Sequence, residues 1–92
     1  MEITLRYTAQ LAQAAGKNEE TIKSEENLDL MNLLEEKCRE YGKEFAKFVV
    51  DIAGKPVPTL VVALNGTQVS LDSPIVINRD AEILLVTPMS GG

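Results

Sequence analysis

At 92 residues, 45% hydrophobic and 25% charged, the chain has the size and composition of one compact domain with material for a single core. Its net charge of −5 disfavours a phosphate backbone as partner and suits basic protein surfaces. No apolar run approaches the roughly 18 residues of a membrane span, Met1-Glu2-Ile3-Thr4 lacks a basic leader, and the one cysteine, Cys38, cannot form an internal disulfide, so the expectation is a cytoplasmic protein that contacts neither nucleic acid nor membrane.

Ile3-Thr4-Leu5-Arg6-Tyr7 alternates apolar and polar residues, which predicts a first strand with Ile3, Leu5 and Tyr7 toward a core. Ala9 to Ala15 is rich in Ala, Gln and Leu and is followed by Gly16, the pattern of a short helix closed by a glycine cap. Glu20 to Ser24 reads as a second strand, paired back on the first as a hairpin and anchored by Ile22. Asn27 has the chemistry of an N-cap, with Asp29 in the first turn, and Leu30, Leu34, Cys38 and Tyr41 recur at three- and four-residue steps. Met31 and Leu33 widen that stripe, so Leu28 to Tyr41 is expected as one long amphipathic helix. Its opposite face, Glu35, Glu36, Arg39 and Glu40, reads as solvated surface. Gly42 ends or kinks the helix, and Phe45 and Phe48 either extend it or pin the next loop.

Gly54, Pro56 and Pro58 make Asp51 to Thr59 a loop or hairpin tip. Leu60 to Leu64 is a strand ended by Asn65-Gly66, the strongest hairpin signal in the chain, with Gln68 to Ser70 pairing back across it. Asp72-Ser73-Pro74 and Asn78-Arg79-Asp80 are turns, and Ala81 to Val86 is the last strand. The order gives an α+β domain over residues 1–86, with one long helix on one sheet, and a flexible tail over residues 87–92.

Both residue parities are apolar in Leu60 to Leu64 and Ile83 to Val86, whereas a sheet covered on one face should alternate. Either loops around residues 8–16 and 51–59 cover the second face, or Leu60, Val62, Leu84 and Val86 belong to a partner-binding surface.

The usual catalytic sets are missing. Without histidine there is neither a Ser/His/Asp triad nor a Cys/His dyad, and a metal site loses its commonest ligand, so no metal is expected. Cys38 lies on the apolar helical stripe, the setting of a small core residue and not of a nucleophile. What remains is the terminus. Pro88-Met89-Ser90-Gly91-Gly92 reads as a short arm, and with Thr87 its six residues at about 3.3 Å each would reach roughly 20 Å. Gly91 and Gly92 are slim enough to enter a slit that any Cβ would block. A terminal carboxylate is a poor acyl donor, so its use requires an outside enzyme that forms an acyl-adenylate from ATP.

Ile3 to Leu11 with Gly16, Leu60 to Val69 with its Asn65-Gly66 turn, and the closing Pro88-Met89-Ser90-Gly91-Gly92 together resemble the MoaD/ThiS family of ubiquitin-like sulfur carriers. The likeness is nearer the MoaD branch, the small subunit of molybdopterin synthase, and is weakest between Gly42 and Thr59. The resemblance implies a β-grasp fold, a mixed sheet of four to five strands with the first and last adjacent and parallel, packed on the long helix. It further implies no cofactor of its own and no catalysis. Gly92 would be adenylated by a ubiquitin-activating-type adenylyltransferase using ATP-Mg, converted to a thiocarboxylate, and presented to a sulfur acceptor such as the large subunit of molybdopterin synthase. Gly91, Ser90, Met89 and Pro88 would thread those sites. Acceptors for thiamin or tRNA thiolation, conjugation to protein lysines, and an interaction domain with an idle tail are the alternatives.

Overall fold

The computed structural model describes residues 1–88. Strand β1 (Glu2–Tyr7) buries Ile3, Leu5 and Tyr7, as its alternation predicts. Helix α1 (Ala9–Ala15) closes on Gly16, whose φ of 75° lies in the left-handed region and lets its N–H reach Ala12 O. Strand β2 (Glu19–Lys23) pairs antiparallel with β1, Ile22 opposite Ile3.

The long helix begins later than the sequence suggests. Leu28–Asp29 is a short strand, β3, and helix α2 spans Leu30–Tyr41 with Asp29 as its N-cap. Asp29 Oδ1 accepts the Met31 N–H at 2.9 Å, which replaces the expected role of Asn27. The two residues are extended because β3 pairs with β6 (Val76–Ile77), and Leu30 N–H donates to Ile75 O beside that pair. Gly42 separates α2 from a one-turn helix α3 (Lys43–Ala46), which buries Phe45 completely.

Strands β4 (Val61–Leu64) and β5 (Thr67–Val69) form the hairpin over Asn65-Gly66, whose φ angles of 51° and 84° are those a tight hairpin turn requires. The last strand, β7 (Ala81–Val86), lies between β1 and β4. The five-stranded order is β2-β1-β7-β4-β5, with β1 and β7 parallel and every other pair antiparallel. The fold is therefore α+β, a five-stranded mixed sheet with helices on one face and a separate two-stranded sheet of β3 and β6.

That face carries the core. Ile3, Leu5, Val62, Ile83 and Leu85 from the sheet meet Leu11 of α1, Leu30, Leu33 and Leu34 of α2, and Phe45 and Val49, all buried. Each such side chain contributes about 1.5–3 kcal/mol relative to exposure. Among the described residues no helix is long and apolar enough to cross a membrane.

Candidate docking face and tail exit

Strand β7 leaves the sheet where β1 ends and β4 begins, since Leu85 lies opposite Tyr7 and Val86 opposite Val61. Two side chains at the start of α1 grip this exit. Thr8 Oγ1 donates to Leu85 O at 2.9 Å, and Thr87 Oγ1 donates to Gln10 Oε1 at 2.8 Å. The Thr8 hydroxyl therefore does not cap α1. Ala9, between the two gripping residues, has φ 47°, a left-handed conformation uncommon for a residue with a Cβ. Thr87 is buried, and Pro88, the next residue, is exposed. Pro88 is the one member of the anticipated tail set within the described residues; Met89, Ser90, Gly91 and Gly92 lie outside them.

The face of the sheet away from the helices is divided. Its β2–β1 side is charged: Arg6 Nε lies 3.4 Å from Glu82 and its Nη1 4.0 Å from Glu19, exposed pairs that contribute little stability. Beyond Glu82, its β7–β4 side is apolar. Leu84 and Val86 are half-buried, Ala63 lies opposite Leu84, and Val61, opposite Val86, is exposed. Leu84 and Val86 are thus on this outer face, as a docking surface requires.

Leu60 and Val62 are not. Val62 pairs with Leu85 on the core side and is 1% exposed, and Leu60 also packs against the core. Both line an open groove of about 520 Å³ between the 56–58 segment and the β4–β5 hairpin. The outer-face residues of β4 are Val61 and Ala63. Both parities of this strand are apolar, so only its register with β7 fixes which residues point outward. Of the two loops expected to cover the outer face, the 8–16 stretch packs on the core side through buried Leu11, and residues 56–58 of the 51–59 loop lie beside Leu60 and Val62, which also face the core.

A polar cluster ties β2 to α2. Glu20 accepts hydrogen bonds from the hydroxyls of Tyr7 and Tyr41, and Lys37 Nζ donates to Glu20 at 3.1 Å and to Glu40 at 2.9 Å. Burial alone would raise the Glu20 carboxyl; the hydroxyls of Tyr41 and Tyr7 and the Lys37 ammonium outweigh it and hold the group below its ordinary value. Burial likewise opposes the Lys37 ammonium, but Glu40 and Glu20 hold its value above the ordinary one. Burial and then Glu20 push both tyrosines up. Among the described residues no buried side-chain nitrogen or oxygen, those of this cluster included, lacks a hydrogen-bond partner. Lys37 could have been found from the helical spacing Leu30, Leu34, Lys37, Tyr41; the contacts of Thr8 and Gln10 with β7 have no local signal.

Cys38 is half-buried, and burial followed by the nearby Glu35 raises its thiol, the reverse of nucleophile activation. Among the described residues no group of three His, Cys, Asp or Glu side chains is placed to hold a metal ion.

A five-stranded mixed sheet with parallel first and last strands, clasping α2, is a ubiquitin-like β-grasp. The sequence profile of the ThiS family matches residues 5–92, and the chain belongs to that family. Solved structures agree on the fold. SAMP1 of Haloferax volcanii has a TM-score of 0.82 at 20% identity, with all of both chains covered. The small archaeal modifier protein 1 of Methanosarcina acetivorans has a TM-score of 0.73 at 22% identity over 99% of this chain and 96% of its own. A Pyrococcus furiosus protein described as molybdopterin converting factor, subunit 1, has a TM-score of 0.65 at 24% identity over 97% of this chain and 99% of its own. No curated protein sequence matches the chain.

Proposed function

We propose that the chain is a sulfur carrier whose Gly92 carboxylate is the reacting group and whose folded body is the handle by which enzymes grip it. The observation that carries this reading is the family match, which runs from residue 5 through Gly91-Gly92. The tail exit supports it: the grip of Thr8 and Gln10 ends at Thr87, so the segment beyond begins from a fixed point beside an apolar face.

The chemistry is supplied by partners. An adenylyltransferase of the ubiquitin-activating type joins the Gly92 carboxylate to the α-phosphate of ATP held with Mg²⁺, releasing pyrophosphate. A persulfide sulfur on a donor protein attacks the acyl carbon, and AMP leaves. A second donor thiol then attacks the donor-side sulfur of the acyl disulfide, breaking the S–S bond. The electron pair stays on the acyl sulfur as the thiocarboxylate, and the donor is left as a disulfide. In the acceptor enzyme the thiocarboxylate sulfur attacks an electrophilic carbon of the substrate and displaces an oxygen leaving group, which departs with its electron pair, and water then cleaves the acyl–sulfur bond to restore the carboxylate. The acceptor in this reading is a molybdopterin synthase large subunit holding the cofactor precursor. Leu84, Val86 and Val61 form the docking face, and Pro88, Met89, Ser90 and Gly91 thread the partner sites.

ATP–pyrophosphate exchange catalysed by the activating enzyme from the same genome tests the first step. Exchange that requires the chain and is lost on deleting Gly91-Gly92 is expected; exchange unaffected by the deletion would end the reading.

A second reading is favoured by the likeness to proteins called modifiers. There a lysine amine of a target protein attacks the activated Gly92 and forms an isopeptide bond. Adducts that disappear with Gly92 mark this outcome, and their absence under sulfur starvation or oxidative stress removes it.

A further inference from the structure

Ile52 stands fully in solvent on a tight hairpin. Val50 bridges to Pro56, Asp51 N–H donates to Lys55 O at 2.8 Å, and Gly54 N–H donates to Asp51 O at 2.9 Å. Asp51 Oδ1 accepts from the N–H groups of Ala53 and Lys55 at 2.8 and 3.0 Å, which closes the turn from inside. Gly54, φ 80°, takes the left-handed position. Ile52 has a relative exposure of 110%, the highest among the large apolar side chains that stand exposed.

A lone exposed isoleucine is ordinary; its surroundings are not. Ile52 borders an open concavity of about 540 Å³ with Ala46, Val50 and Val57, so knob and floor form one apolar surface. Lys43 and Lys47 line the same concavity, and Lys55 stands exposed on the hairpin. Residues 43–57 hold three lysines against two carboxylates in a chain of net charge −5. Those two carboxylates are engaged, Glu44 with Lys47 at 2.8 Å and Asp51 with the turn backbone. The segment leads into β4, whose first residue Val61 lies opposite Val86, and its Glu44 and Phe48 share a concavity with Gln10, the residue that holds Thr87 at the tail exit.

From this placement we infer a second docking surface, in which Ile52 inserts into an apolar pocket rimmed by carboxylates on the activating enzyme, beside the slot that admits the tail. It rests on the reading that such an enzyme takes Gly92. The knob supplies desolvated anchoring area and the lysines supply steering and orientation. A net charge of −5 disfavours an anionic lipid surface as occupant, and the lysines beside the knob suit an acidic rim on a different protein.

The test is calorimetric affinity between the full-length chain and the adenylyltransferase of the same genome, with ATP–pyrophosphate exchange measured in parallel. Ile52→Asp should weaken binding at least about tenfold, raise KM for the chain with kcat unchanged, and leave the denaturation midpoint unchanged. Lys43→Glu with Lys55→Glu should weaken binding and flatten its dependence on salt. Equal affinity of wild type and Ile52→Asp would overturn the inference, as would a wild-type chain that does not bind the enzyme. Ile52-dependent binding without pyrophosphate exchange would keep the surface and remove the chemistry assigned to the tail. Ile52-dependent binding to phosphatidylserine vesicles, or Ile52-dependent self-association in sedimentation, with no effect on the enzyme, would reassign the patch and overturn it.

Discussion

Thr87 donates a hydrogen bond from its Oγ1 to Gln10 Oε1 at 2.8 Å, joining the last turn of backbone after β7 to the start of α1 across 77 residues of sequence. Because Thr87 is buried, its hydroxyl has no water to fall back on. Gln10→Ala should therefore cost about 1–3 kcal/mol, the penalty of a buried hydroxyl left without its acceptor. In the Gln10→Ala background, Thr87→Val should cost less than it does alone, and urea denaturation of the four species gives the coupling. Strict additivity would show that the bond does not hold the tail exit.

Leu34 sits on α2 with no exposed surface, in contact with the apolar face of the sheet. Leu34→Ala should cost about 2–5 kcal/mol, the loss of transfer energy together with the cavity left behind. A chemical-denaturation loss well under about 1 kcal/mol, below the range for such deletions, would mean that the core has been misplaced.

The Glu20 cluster predicts a dependence on acid. Its folded value lies below the ordinary carboxylate value of about 4.3, so its contribution to stability is present above that pH and is lost as pH falls through the folded value. Lys37 works in the opposite direction, its contribution surviving until pH rises through a folded value above about 10.4. At neutral pH both are in place. Glu20→Gln should cost about 1–3 kcal/mol at pH 7 and less at an acid pH below the ordinary carboxylate value of about 4.3, as the folded carboxylate takes up its proton. Urea denaturation at the two pH values reads it; an equal difference at both would exclude ionisation as the source.

How much of this was legible in the sequence depends on the range of the interaction. The alternation of Ile3, Leu5 and Tyr7, the Gly16 cap and the Asn65-Gly66 turn are local rules, and the corresponding elements stand where those rules put them. The α2 start moved because Leu28 and Asp29 answer to Val76 and Ile77, far along the chain, and not to the helix signal of Asn27. Both parities of β4 are apolar, so nothing local tells whether Val62 faces the core or a partner; its pairing with Leu85 turns it inward and turns Val61 out. Thr8, Gln10 and Thr87 carry no local pattern, and only the parallel placement of β7 beside β1 brings them together.

The outer face yields a prediction separable from stability. Val61 and Leu84 lie outside the core, so Val61→Arg and Leu84→Arg should leave the denaturation midpoint nearly unchanged. If this face receives partners, each change should weaken binding to the sulfur-acceptor subunit by about tenfold or more. Unchanged calorimetric affinity in both variants would remove the face from the interaction.

The central claim is that Gly92 is a substrate. Incubating the chain with ATP, the activating enzyme and a persulfide donor from the same genome, and reading its intact mass, tests that claim most directly. The account predicts a species heavier by the difference between one sulfur and one oxygen, located to Gly92 by fragmentation and absent when Gly92 is deleted. An unchanged mass, in a mixture where the same enzymes thiocarboxylate another carrier, would contradict it.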